Sequence, residues 1–282
     1  MLTEELPNLI VEQRAIASNY LKRYVIIDFY LPRNINNPGE LSLLLINDGQ
    51  NLQEMKFSSM TDQLIGSAQV QPLVCAGIHA GWDRKNEYGT AGVTDFEGRG
   101  AKAGDYHRFI IEELLPFIHT SYAIPEFRQI AFAGFSLGGL MAFDITWHYP
   151  DIFSIAGVFS GSLWWRTKSL DDDYNDDTDR IIHQKVKNGS YKPGLKFYFT
   201  TGSQDETADR NNNGIIDSID DTMALISELV QLGYDKEHDI RYVNYEDGKH
   251  DVETWSRAMP AFLLWSRAGN NEKEYRTGNK DW

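Results

Sequence analysis

Ser136 is the residue in this chain best placed to act as a nucleophile. It lies in Gly134-Phe135-Ser136-Leu137-Gly138-Gly139, behind the apolar run Ile130 to Ala133 and ahead of the helix-forming Leu140 to Phe143. Strand, tight turn and helix in that order make a nucleophile elbow: the serine is lifted above the sheet edge, and the glycines leave room where backbones cross. A serine hydroxyl attacks a carbonyl only if a histidine takes its proton and a carboxylate orients the histidine. Of the seven histidines, His250 has the best position. It follows the strand-like Ile240 to Tyr245 and the turn Glu246-Asp247-Gly248-Lys249, and precedes a helix carrying Trp255. The acid is expected after the strand Leu195 to Thr201, where Asp205 is the first carboxylate in Gly202-Ser203-Gln204-Asp205-Glu206. Glu206 competes for the role, but the next position in a turn directs its side chain elsewhere.

A second constellation follows at once. From Asp209 to Asp220, oxygen-bearing side chains stand at loop positions one (Asp209), three (Asn211), five (Asn213), nine (Asp217) and twelve (Asp220), with Gly214 at six. This is EF-hand-like calcium spacing, in which the glycine permits the sharp turn and Ile215 at position seven offers its carbonyl. Asp220 replaces the usual bidentate Glu, so weaker binding is expected, with Asp221 as a helper. The expectation is a structural Ca2+ ion beside the catalytic acid, with no organic cofactor. A solvated Asn/Asp/Gly turn is the alternative.

These groups need a scaffold that brings late strand ends together. Leu41 to Ile46, Pro72 to Ile78 and Gln129 to Ala133 are short apolar runs, as expected for parallel strands covered on both faces. Ile10 to Ile16 and Tyr24 to Leu31 alternate more and suggest an antiparallel edge. With 282 residues, 41% of them hydrophobic, and neither a linker nor a repeat, the chain reads as one domain over 1–282, an α/β sandwich of three layers with a mostly parallel central sheet. A net charge of −14 opposes a nucleic-acid surface. No run approaches the ~18 apolar residues of a membrane span. Met1-Leu2-Thr3-Glu4-Glu5 lacks signal-peptide character, so a cytoplasmic enzyme is expected, although an exported mature chain would read the same. Cys75, the only cysteine, sits in a predicted strand and reads as a core residue.

Several motifs in register resemble the family of α/β-hydrolases that holds esterase D, enterochelin esterases and feruloyl esterases. They are Ile46-Asn47-Asp48-Gly49-Gln50, Gly77-Ile78, Arg84 to Tyr88, Phe109 to Pro116, the elbow, Ser160 to Trp165, and Gly248-Lys249-His250-Asp251 with Trp255, spanning roughly residues 10 to 265. The resemblance implies a serine carboxylic-ester hydrolase working through an acyl-enzyme, on carbohydrate-linked or siderophore-type esters. It also implies an oxyanion hole built from the backbone N–H groups of Gln50 and Leu137. These hydrolases often carry a cap, which here is expected at about 164–193 and includes the acidic stretch Asp171 to Asp179. Trp164 and Trp165 stand as candidates for a substrate wall or a cap anchor. Arg84 and Glu87 either contact a polar substrate or pair with each other. Two rival activities remain open: acyl transfer on the same fold, and a non-catalytic calcium-dependent carbohydrate-binding module. The expected partner is a small-molecule or carbohydrate ester.

Overall fold

A computed structural model of the chain describes residues 3–33, 35 and 38–267. The rest of the predicted 1–282 domain, including Met1 and Leu2 of the N-terminus, lies outside the described residues. Among the described residues, nine strands form one sheet in the order β1-β2-β3-β5-β4-β6-β7-β8-β9. β1 (Thr3–Glu5), β2 (Leu9–Ser18) and β3 (Arg23–Pro32) pair antiparallel, and β3 pairs antiparallel with β5 (Leu73–Ile78). From β5 onward every pair is parallel, through β4 (Ser42–Asn47), β6 (Gln129–Phe135), β7 (Ile155–Phe159), β8 (Lys196–Gln204) and β9 (Ile240–Lys249). This is the α/β-hydrolase architecture expected from the sequence, with the alternating β2 and β3 on the antiparallel side. β1 was not anticipated: three residues reading Thr-Glu-Glu carry no apolar period.

Every residue of β4, β5 and β7 is buried, because helices cover both faces of the sheet. One face packs α3 (Ala103–Arg108), α4 (Leu115–Ser121), α5 (Leu137–His148), α7 (Ile181–Lys187) and α8 (Asp217–Leu232), through side chains such as Tyr106, Phe109, Met141, Phe143, Ile182 and Leu229. The other face packs α1 (Phe57–Gly66) and α9 (Val252–Arg267), through Phe57, Leu64, Met259 and Phe262. Two short helices complete the set, α2 (Arg84–Glu87) and α6 (Asp176–Asp179). A π-helical stretch, Phe109–Leu114, joins α3 to α4. Among the described residues, no helix is long and apolar enough to cross a membrane.

Parallel strands all end on the same side. The loops after β4, β6, β8 and β9 therefore open at one rim, which is where ligands bind in open α/β sheets.

Candidate active site

Ser136 joins β6 to α5 with φ 55° and ψ −122°, a conformation that strains any side chain other than glycine. Such strain costs about 1–3 kcal/mol and persists only where the surroundings over-determine it. Here they do. The Ser136 N–H donates to Phe159 O at 2.9 Å, and its carbonyl accepts from Gly139, Leu140 and Ser162 N–H groups at 3.0 to 3.2 Å. A Cβ on Gly134 would lie 2.2 Å from the Gly138 carbonyl oxygen, so the crossing of strand and helix excludes any side chain there. The Ser136 hydroxyl lies 3.3 Å from the Ser162 hydroxyl, and among the described residues no hydrogen bond links it to His250.

Asp205 is buried at the end of β8. Its Oδ2 accepts the Gly202 N–H at 3.0 Å, and its Oδ1 accepts the Ser160 hydroxyl at 3.2 Å. The indole of Trp255 in turn donates to Ser160 Oγ at 3.1 Å. The same indole meets the His250 imidazole edge to face at 5.3 Å and stacks on Phe135, the residue before the nucleophile, at 5.1 Å. Trp255 thus touches the elbow, His250 and the chain of bonds that holds Asp205. Burial pushes the Asp205 carboxyl above the ordinary carboxylate range, while the Gly202 and Ser160 bonds and the charge of His250 pull it back. Burial lowers His250 below the ordinary histidine value; Asp205 opposes this and Arg84 adds to it. Glu206 faces the Ser218 N–H and the acidic first turn of α8 instead.

The loop after β4 supplies the second half of the site. Asp48 holds the left-handed conformation at φ 60°, and Gly49 and Gln50 enter a short 3₁₀ turn. Neither the Gln50 nor the Leu137 N–H has a backbone acceptor among the described residues. Three clips fix this loop against the elbow. Asn47 Nδ2 donates to Gly138 O at 2.8 Å while its Oδ1 accepts from Tyr106 at 2.6 Å. The Arg84 guanidinium binds both oxygens of Asp48 at 2.7 Å and reaches Phe135 O at 3.4 Å. The Gln50 side chain bridges Asp48 and the Ala80 N–H.

The family model described as "Putative esterase" matches residues 18–266. The chain belongs to this esterase family. No curated protein matches the sequence significantly. Among solved structures, a ferulic acid esterase superposes with a TM-score of 0.68 at 18% identity, over 92% of this chain and 98% of that one. The enterochelin esterase of Shigella flexneri gives 0.69 at 21%, over 93% of this chain and 59% of that one. An IroE-like serine hydrolase from Shewanella oneidensis gives 0.67 at 18%, over 91% and 79%. The chain therefore spans about three fifths of the enterochelin esterase. These likenesses establish the α/β-hydrolase fold, and the family makes the protein a serine esterase.

In this esterase, two of the residues expected to meet substrate are spent elsewhere. Glu87 is 1% exposed and forms a two-bond ion pair with Arg23, and Arg84 pairs with Asp48, so the expected Arg84–Glu87 pair does not form. Trp165 is 1% exposed and packs beneath Gly89 and Gly100 with Arg99 over its ring, an anchor rather than a wall. Trp164 is half-buried between Arg99 and Arg166. The open aromatic is Trp82, which sequence reasoning passed over. It is 91% exposed and borders a cleft of about 540 Å³ with Asp83, Arg84, Lys85, Asn86, Glu97 and Arg99. The insertion between β7 and β8 is closed at its neck, where Ile181 N–H donates to Trp165 O and Arg166 bridges Arg180. Its acidic tip is exposed over Asp171 to Asp173, but Asp179 is buried and caps Asn175 and Thr167.

Calcium in the esterase's loop 209–220 gains no support, because the loop oxygens already have internal partners. Asp209 accepts the N–H groups of Asn213 and Gly214, and Asp220 accepts the side-chain amides of Asn211 and Asn213. Asn213 Oδ1 turns to the Ile215 N–H. Asp217, which opens α8, accepts Arg210 N–H at 2.9 Å. Arg210 itself, at loop position two, is the local cation. Its guanidinium binds Asp176 at 2.7 Å, Asp221 through two nitrogens, and approaches Asp217 at 3.3 Å. Arg180 joins it on Asp221 at 2.7 Å, which ties the cap to α8. Position two of a calcium loop carries no ligand, so its side chain held no place in the sequence argument.

Proposed function

We propose that this esterase cleaves carboxylic esters through Ser136, His250 and Asp205. Ser136 attacks the carbonyl, His250 takes its proton and returns it to the leaving alcohol, and Asp205 stabilises the imidazolium in between. The N–H groups of Gln50 and Leu137 receive the developing oxyanion, and water then clears the acyl-enzyme by the same proton relay. The observation that carries this reading is the shared hub at Trp255. One indole contacts the residue before the strained serine, the histidine, and the hydroxyl that holds the buried aspartate. Hydrogen bonds between catalytic groups are often long without substrate and tighten in the Michaelis complex, so the loose Ser136 hydroxyl is compatible with the mechanism.

The cleft beside Arg84 and Trp82 is open enough for a bulky aromatic or sugar-bearing ester, and the ferulic acid and enterochelin esterases share the fold. We therefore place the substrate among such esters. Ser136→Ala tests the mechanism: on a short-chain aryl ester cleaved by the parent, turnover should fall at least ~10³-fold with the melting temperature unchanged, since alanine keeps the same Cβ in the strained turn and the hydroxyl that is lost stands 3.3 Å from Ser162. Near-parental turnover would overturn it.

A further inference from the structure

His107 on α3, and Asp144 and His148 on α5, bring one donor atom each to within 4.8 Å of one another. Asp144 and His148 are four residues apart and share one face of their helix. His107 and Asp144 are buried, whereas His148 opens to solvent. His107 Nε2 lies 3.3 Å from Asp144 Oδ2 and, fully enclosed, has no hydrogen-bond partner among the described residues. A bound cation would give this buried nitrogen the partner it lacks. Asp144 is held by groups that leave it facing the imidazoles: Lys185 Nζ on Oδ1 and the Ala91 N–H on Oδ2, both at 2.7 Å. Carboxylates that bind metals are oriented by such outer partners.

We propose that His107, Asp144 and His148 form a second site, for a divalent transition metal of the zinc class. Two imidazole nitrogens and one carboxylate oxygen suit zinc or cobalt and not calcium or magnesium, which take oxygen shells. Three protein ligands leave the fourth tetrahedral position to a water on the solvent side, at His148. Lys185 neutralises Asp144 when no ion is bound, and an ion on Oδ2 leaves that bond in place. Asp144 and His148 stand eight and twelve residues beyond Ser136, roughly 12 and 18 Å along the helix, so the ion does not reach the ester. It would instead pin α3 to the helix that begins at the elbow.

Zinc titrated calorimetrically into the whole protein should bind at one equivalent, and cobalt should give a tetrahedral absorption spectrum. His148→Ala, a change at the surface, should weaken zinc at least ~100-fold and abolish that spectrum while leaving zinc-free ester hydrolysis unchanged. Asp220→Asn, in the 209–220 loop, should leave zinc affinity as it was. Absence of one-equivalent binding, unchanged affinity in His148→Ala, or loss in Asp220→Asn instead would overturn the site and leave the cluster as an ion pair between Asp144 and Lys185.

Discussion

Replacing Arg84 by Met keeps the aliphatic stem and removes the charge from a pair that joins the two halves of the site. Asp48 is 2% exposed, and without Arg84 its carboxylate keeps only the Gln50 amide at 3.2 Å among its side-chain partners. Breaking a fully buried pair from one side costs about 3–5 kcal/mol. The Arg84 side chain is 30% exposed, so water can take part of its place, and about 2–3 kcal/mol is the expected loss. For a chain of this length that is a fall in melting temperature of about 3–5 °C. Catalysis should suffer separately. Asp48 sits two residues before Gln50, and displacing one oxyanion donor costs about 10²–10³ in kcat. Asp48→Asn in the same chain removes the stranded charge, and asparagine tolerates the left-handed conformation that position needs. The double variant should therefore regain most of the stability but little of the kcat. Urea unfolding and steady-state kinetics on the two single variants and the double variant give the full cycle. If Arg84→Met unfolds within about 0.5 kcal/mol of the parent, or the double variant is no more stable than Arg84→Met, the clamp argument fails.

Asp205→Asn should lower kcat by about 10⁴, as the same change does in serine proteases, whereas Glu206→Gln should cost less than about tenfold because Glu206 faces Ser218; steady-state assays that reversed this ranking would move the acid to Glu206. The base must be neutral to accept a proton, so kcat/KM should be flat at neutral pH and fall as pH drops through a His250 pKa that lies below the ordinary histidine value. In Asp205→Asn that acid limb should move to still lower pH, since the carboxylate charge that raises His250 is gone; a limb moving upward would contradict the assignment. Millimolar calcium should shift the melting temperature by less than about 1 °C, because Arg210 already supplies the charge between Asp176, Asp217 and Asp221. Arg210→Met should lower it by several degrees, and a large calcium shift in the parent would restore the metal reading.

The strand ends that carry Ser136, Asp205 and His250 were legible because strand, turn and helix patterns are local, and each of the three lies within a few residues of one. The fold class was legible for the same reason, from apolar runs of parallel-strand length. The partners of the charged side chains were not. Asp48 and Arg84 are 36 residues apart, Arg23 and Glu87 64, and Ser160 and Asp205 45, and only the sheet order brings them together. Arg84 and Glu87 looked like a local pair because they share one helical turn; tertiary contacts took each to another carboxylate or guanidinium. The 209–220 spacing matched a calcium loop at its oxygen positions, while the residue that settles its charge stood at a position the pattern ignores. Nothing in the sequence around His107 marks it, because its neighbours on α5 are brought to it only by packing.

Labelling with a fluorophosphonate, followed by digestion and mass mapping, tests the central claim most directly. Two serine hydroxyls lie 3.3 Å apart at the elbow, so the position of the adduct is itself informative. One adduct per chain is expected, on Ser136, formed at the rate at which ester hydrolysis is lost. An adduct on Ser162, or a protein that hydrolyses esters and stays unlabelled, would contradict it.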